Sequence, residues 1–319
     1  MAFKPGDGTG QNSANPTAQL TTCYGVADAP FKRIVDGTKD LPEKSRAVYN
    51  GPMEDDTRMN DNPSASPLDR SLAGKCALIT GAAGGIARAT AIEFSSRGAS
   101  LVLTDLDIGA LRMIGDATGN AEVLLHEADL TKGVEVQELI ARSVERFGRV
   151  DVFVNCAGGY HAYSTFDEID EDDWDRVVDL NLKSVFLCCK AVVPVMKSHG
   201  WGRIINLGSL AGRSTSAGSS PAHYGTAKAG VSILTQYVAK EVAPYGITAN
   251  TVAPGTTLTE RVKSVLTPAK ERQFVERTPV GRLATPNDIV GVISFLASEE
   301  SRYITGATID VNGGRLMLT

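Results

Sequence analysis

From Leu72 onward, short apolar runs rich in Val, Ile and Leu alternate with longer segments of helical period, beginning "GKCALITGAAGGIARATAIEFSSRGASLVLTD". A strand that is apolar at successive positions must be covered on both faces, and crossover helices between parallel strands provide that cover. The pattern predicts strands at 75–80, 100–104, 122–127, 150–155, 203–208, 247–252 and 307–311. Helices are expected between them at 85–97, 107–117, 132–147, 170–199, 221–243 and 286–298, the third having the most regular apolar spacing. Seven such strands make one doubly wound α/β sheet in a single domain over residues 71–319. Residues 1–70, rich in Pro, Gly, Asn and Asp, show no sustained period and read as a largely irregular N-terminal extension. Its scattered apolar anchors, Phe31, Ile34 and Val48, lead us to expect it to drape over the domain or a neighbouring subunit. The stretch 256–285 interrupts the alternation with polar helical pieces and prolines, as a lid over a site would.

Composition narrows the partners. A chain of 319 residues that is 42% hydrophobic and 22% charged can bury a substantial core. Its net charge of -5 gives no broad attraction to nucleic acid or anionic lipid. No segment has the roughly 18 uninterrupted apolar residues of a membrane span, and the first residues lack the apolar stretch of a secretory signal, so a cytoplasmic protein is expected. Cys23, Cys76, Cys156, Cys188 and Cys189 have no metal-ligand spacing and read as small apolar fillers. His126, His161, His199 and His223 form no metal set, so no metal is expected.

Chemistry-bearing residues fall at strand ends. Gly81, Gly84 and Gly85 lie between the first strand and first helix, where glycines permit a sharp turn and the helix N-terminus meets a pyrophosphate. Glycines also serve ordinary tight turns, so position is what gives the cluster meaning. Asp105 ends the second strand, where a carboxylate can accept from ribose hydroxyls; Asp107 is then free to cap the following helix. Asp129 follows the third strand, and "VNCAGG" ends the fourth. In "AHYGTAKAGVSIL", Tyr224 and Lys228 stand one helical turn apart on one face.

With "TGAAGGIA", "NCAG", "LNLKSVF", "NLGSLAG", "YGTAK" and "NTVAPGTTLT" in this order, the chain from about Leu72 to the C-terminus resembles the short-chain dehydrogenase/reductase family. The resemblance implies a Rossmann-type fold, a homotetramer, and a catalytic tetrad of Asn181, Ser209, Tyr224 and Lys228. It implies NAD contacts from Gly81, Gly84, Gly85, Ile86, Asp105, Leu106, Asp129, Leu130, Asn155, Ala157, Gly158, Tyr224, Lys228, Pro254, Gly255, Thr257 and Thr259. Substrate contacts are expected from Tyr160, His161 and Ala211, with Tyr160 and Tyr163 flanking His161. Two features depart from the family pattern: Ala87 replaces the usual third glycine, and the loop between Ser209 and Tyr224 is about two residues longer.

A free tyrosine, with a pKa of about 10, is a poor base at neutral pH, and a nearby ammonium would draw it toward the working range. Tyr224 would then exchange the substrate hydroxyl proton while Ser209 fixes the substrate oxygen. Lys228 would also hold the nicotinamide ribose and Asn181 would support a water-linked proton path, as the resemblance implies. The expected activity is an NAD-dependent interconversion of a small secondary alcohol and its ketone. A 3-oxoacyl-acyl-carrier-protein reductase is the alternative enzyme, although arginines often found in that subfamily are missing from "KSHGWGR" and "PYGIT". A catalytically silent NAD-binding regulatory protein is the alternative of another class, and it would not require Ser209, Tyr224 and Lys228 together. Asp105, with Gly84 and Leu106 where a basic residue would sit, favours NAD over NADP.

Overall fold

The computed structural model describes residues 71–119, 121–215 and 220–318, so the expectations for the N-terminal extension, Cys23 and part of the lengthened loop lie outside the described residues. Its strands are β1 (Cys76–Thr80), β2 (Ser100–Asp105), β3 (Val123–Glu127), β4 (Val152–Asn155), β5 (Gly202–Leu207), β6 (Ile247–Pro254) and β7 (Thr308–Val311). They form one seven-stranded sheet in the order β3-β2-β1-β4-β5-β6-β7. Every neighbouring pair is parallel. The chain therefore builds outward from β1 in one direction, then crosses back to add β4 on its other side. The crevice beyond the carboxyl ends of β1 and β4 is where ligands bind in sheets of this kind.

Strand residues alternate between two cores. Ala77, Ile79, Leu101, Leu103, Val152, Val154 and Ile205 pack under α1 (Gly85–Ser96), α2 (Ile108–Ala117) and the late helix at Pro286–Ala297. Leu78, Val102, Phe153, Ile204 and Ala249 face α3 (Gly133–Phe147) and the helices at Ser184–His199 and Ala222–Val242. Both faces are dry, which is why the strands are continuous apolar runs.

The single helix expected over 170–199 is divided. After α4 (Glu171–Val178), one π turn over Asp179–Lys183 leads into α5 (Ser184–His199). The extra residue per turn carries Asn181, and such turns concentrate at functional sites. The following long helix, α6 (Ala222–Val242), is fixed on the sheet by a buried polar cluster. Thr235 Oγ1 donates to Val231 O at 2.7 Å and accepts from Asn206 Nδ2 and Thr251 Oγ1, each at 2.9 Å. Its one donor and two acceptor sites are thereby all used. The stretch after β6 holds two short helices, α7 (Glu260–Val265) and α8 (Pro268–Glu276), with no buried residue in either, before α9 (Pro286–Ala297) returns to the core.

Candidate active site

The carboxyl ends of β1, β4, β5 and β6 bring the chemistry-bearing residues to one edge. At the end of β1, Gly81 has φ +61°, and a Cβ there would stand 2.8 Å from Ala157 Cα, so only glycine permits the turn. Gly84 caps α1 without a side chain, and no acidic residue occupies the first helical turn. The first-turn N–H groups are thus left without a side-chain acceptor, as an anion site requires. Across the turn, a Cβ on Gly85 would meet Thr259 at 3.0 Å, so the cradle has no room for a side chain. These features fit the diphosphate of a dinucleotide.

Asp105 closes the next strand end. Its Oδ2 accepts from Ala83 N at 3.0 Å and its Oδ1 from Leu106 N at 2.8 Å. The carboxylate braces the glycine turn and keeps further lone pairs for hydroxyl donors. Asp107 caps α2, accepting from Ala110 N at 2.9 Å, so Asp105 is not needed as a cap. Leu106 is exposed beside it, and Ile86, in the first turn of α1, is half-buried. Asp129 is taken up by its own loop, accepting from Thr131 Oγ1 at 2.7 Å and pairing with Lys132 at 3.3 Å. Leu130 is buried in the core below, so its side chain does not face the edge.

At the end of β4, Asn155 Oδ1 accepts from Thr80 Oγ1 at 2.9 Å, and Thr80 Oγ1 accepts from Ala157 N at 3.2 Å. Buried Asn155 Nδ2 is left unpartnered among the described residues. Gly158, with φ +146°, is hemmed in: a Cβ would lie 2.6 Å from Asn181 Oδ1 and 3.1 Å from Lys228 Nζ. Asn181 is fully buried and clamps this loop, accepting from Gly159 N and donating to Gly159 O and Val177 O, each at 2.8 Å. Both Nδ2 protons are thereby used, while Oδ1 keeps a second lone pair.

Ser209, beyond β5, accepts from Ala211 N at 3.1 Å, which leaves its hydroxyl proton free to favour the Tyr224 phenolate. Tyr160 packs against Tyr224 with ring centroids 4.8 Å apart, while His161 and Tyr163 are exposed. Pro254 and Gly255 end β6; Thr257 Oγ1 donates to Gly255 O at 3.2 Å, and Thr259 caps α7. Asn181, Ser209, Tyr224 and Lys228 thus lie at one edge with the β4 loop.

The electrostatics of the pair differ from expectation. Lys228 is 4% exposed, donates to Leu207 O at 2.7 Å, and burial pushes it down to about 8. Its Nζ is 5.9 Å from the Tyr224 ring centroid. Burial likewise pushes the Tyr224 phenol above its ordinary value, opposed by the Ser209 hydrogen bond and the charge of Arg261. The expected depression of the tyrosine by Lys228 is corrected: sharing a helix face does not aim the ammonium at the hydroxyl when a strand-end carbonyl competes for it. Cys76, Cys156, Cys188 and Cys189 are free thiols, with Cys76, Cys156 and Cys189 all pushed up to about 12 by burial, so none is a nucleophile.

Two further features carry no sequence signature. His223, 0% exposed, accepts from Tyr224 N at its Nδ1, so its Nε2 holds the proton and donates to Asp173 Oδ2; both bonds are 3.0 Å. This ties the start of α6 to α4. Arg261 reaches back from α7 to the loop after β4.

Comparison with known proteins bears on the same region. A family model described as enoyl-(acyl carrier protein) reductase matches residues 81–315. Cyclohexanol dehydrogenase of Rhodococcus sp. strain TK6 is 37% identical over 262 residues, spanning 76% of this chain and 96% of the relative. A 3-oxoacyl-acyl-carrier-protein reductase of Staphylococcus epidermidis is 38% identical over 246 residues, spanning 76% and 99%. Among solved structures, levodione reductase superposes with a TM-score of 0.72 at 30% identity, covering 76% of this chain and 98% of its own.

Proposed function

We propose that this chain, which belongs to the short-chain dehydrogenase/reductase family, is an NAD-dependent oxidoreductase that interconverts a small secondary alcohol and its ketone, with Tyr224 as general acid and base. The observation that carries this reading is the meeting of Lys228 Nζ and Asn181 Oδ1 against Gly158 at the strand edge, with Ser209 near enough to Tyr224 to favour its phenolate. Family members use a nicotinamide cofactor, NAD or NADP, whose ring exchanges a hydride with the substrate carbon.

In the oxidation direction Tyr224 takes the hydroxyl proton, and in reduction it returns a proton to the forming alkoxide. Ser209, held by Ala211 N at 3.1 Å, presents its hydroxyl to the same oxygen and lowers the barrier by orientation and hydrogen bonding. Lys228, beside Gly158, would donate to ribose hydroxyls. Asn181 acts by holding the Gly158–Gly159 loop in register. The resemblance to a 3-oxoacyl-acyl-carrier-protein reductase supports a second reading, a reductase of carrier-bound ketones, which shares every one of these roles.

NAD is the cofactor we assign. The Asp105 carboxylate next to exposed Leu106 supplies acceptors for free ribose hydroxyls and would face a 2'-phosphate as like charge. Steady-state kinetics of the full chain against cyclic, aliphatic and aromatic secondary alcohols test this. kcat/KM for NAD should exceed that for NADP by at least about a hundredfold, roughly 2.7 kcal/mol of discrimination. Asp105→Ser with Leu106→Arg should narrow or reverse the ratio. Equal use of both cofactors would contradict the role given to Asp105, and silence across the panel with either cofactor would contradict the enzyme.

A further inference from the structure

Arg261 carries a positive charge at the edge that the hydride-transfer chemistry does not use. Arg261 is exposed at the start of α7, and its guanidinium lies over the loop after β4: a Cβ built on Gly159 would collide with Nη1 and stand 3.1 Å from Cζ. Tyr224 senses the same charge, which favours its phenolate. Among the described residues no carboxylate lies within ion-pair distance of Arg261. Its neighbour Glu260 pairs with Lys263 at 3.0 Å instead. Arg213 and Arg282, also near the carboxyl edge and lid, are held by Asp310 at 3.2 Å and Asp288 at 2.7 Å. A guanidinium fork without an acceptor among the described residues, set over the β4 loop and reachable from solvent, matches a planar bidentate anion.

We infer that Arg261 is a specificity-determining residue that binds a carboxylate on the substrate, so that the preferred substrates are secondary alcohols or ketones bearing an acid group. This rests on the reading of Tyr224 as the proton-transferring group. The other anion within reach of such a lid is the cofactor diphosphate. That group belongs at Gly84 and Gly85, against which Thr259 stands, whereas Arg261 reaches Gly159 on the β4 loop at the reacting end, where its charge favours the Tyr224 phenolate.

The test uses unreactive probes on the full chain with NADH bound: cyclohexanecarboxylate and its neutral isostere cyclohexanecarboxamide, by calorimetry. Wild type should bind the carboxylate at least about tenfold more tightly than the amide. Arg261→Gln should abolish that preference, Arg261→Lys should keep part of it, and NAD affinity should be the same in all three. In turnover, the kcat/KM ratio of 4-hydroxycyclohexanecarboxylate to 4-methylcyclohexanol should fall with Arg261→Gln, chiefly through KM. A wild-type enzyme without carboxylate preference, or an Arg261→Gln variant that keeps the preference while losing NAD affinity, would overturn the inference, the latter in favour of the diphosphate. A carboxylate preference lost in Arg261→Gln, with no alcohol oxidised by the wild type, would uphold the anion site and remove the oxidoreductase reading instead.

Discussion

Gly158 is the residue on which the site turns, because its Cα faces both the Asn181 amide oxygen and the Lys228 ammonium. Its φ of +146° is open only to glycine at ordinary cost, and a Cβ at 2.6 Å from Asn181 Oδ1 would push that side chain off the loop it clamps. Gly158→Ala should therefore cost about 1–3 kcal/mol of stability, as a strained backbone position does. It should also lower kcat at least about tenfold, because Lys228 Nζ, 3.1 Å from the new carbon, must move. Thermal melting and steady-state kinetics on the same preparation check both; wild-type kcat in the variant would show that Lys228 tolerates displacement. The ionisation of Tyr224 belongs to this scale too. Sequence supplied the idea of a cation near a phenol, yet burial outweighs it in this arrangement, and burial depends on the packing of Tyr160 and the strand ends, which a one-turn spacing does not encode.

At the scale of elements, the catalytic helix is held at its start as well as along its length. His223 accepts from Tyr224 N and donates to Asp173 on α4, so α4 and α6 are joined just where Tyr224 is presented. Asp173→Ala leaves the buried Nε2–H without its acceptor, which should cost about 1–3 kcal/mol. It should lower kcat more than it changes NAD affinity, and Asp173→Asn, which keeps an acceptor oxygen, should restore most of both. Equal kcat in the Ala and wild-type proteins would make the tie structural only. The strands and most helices were legible because a doubly covered parallel sheet writes itself as apolar runs separated by helical period, and the boundaries differ by only a few residues. The π turn at Asp179–Lys183 was not legible: it has the same residue types and apolar spacing as the helix around it, and only the shifted backbone pairing marks it. Arg261 was hidden for another reason, since one arginine in a polar, proline-punctuated segment looks like solvated charge until α7 is folded back over the β4 loop.

For the whole molecule, α5 and α6 leave an open apolar groove lined by Val178, Leu182, Phe186, Ile233, Leu234 and Tyr237, with Phe186, Ile233 and Tyr237 exposed. We propose this surface as an interface of the homotetramer that the family resemblance implied. Ile233→Asp with Tyr237→Glu should reduce the assembly to smaller species in sedimentation or light scattering; an unchanged mass distribution would place the interface elsewhere. Proton transfer by Tyr224 is put to the test by the Tyr224→Phe enzyme, which removes the transferable proton while keeping the ring. Its rate of NAD reduction with the best secondary alcohol of the panel and its NAD dissociation constant should be measured beside wild type. The dissociation constant should be unchanged and the rate should fall below about one hundredth of wild type, a loss of more than about 2.7 kcal/mol of barrier stabilisation. A Tyr224→Phe enzyme that kept more than about a tenth of the rate, having lost under roughly 1.4 kcal/mol, would contradict proton transfer by Tyr224.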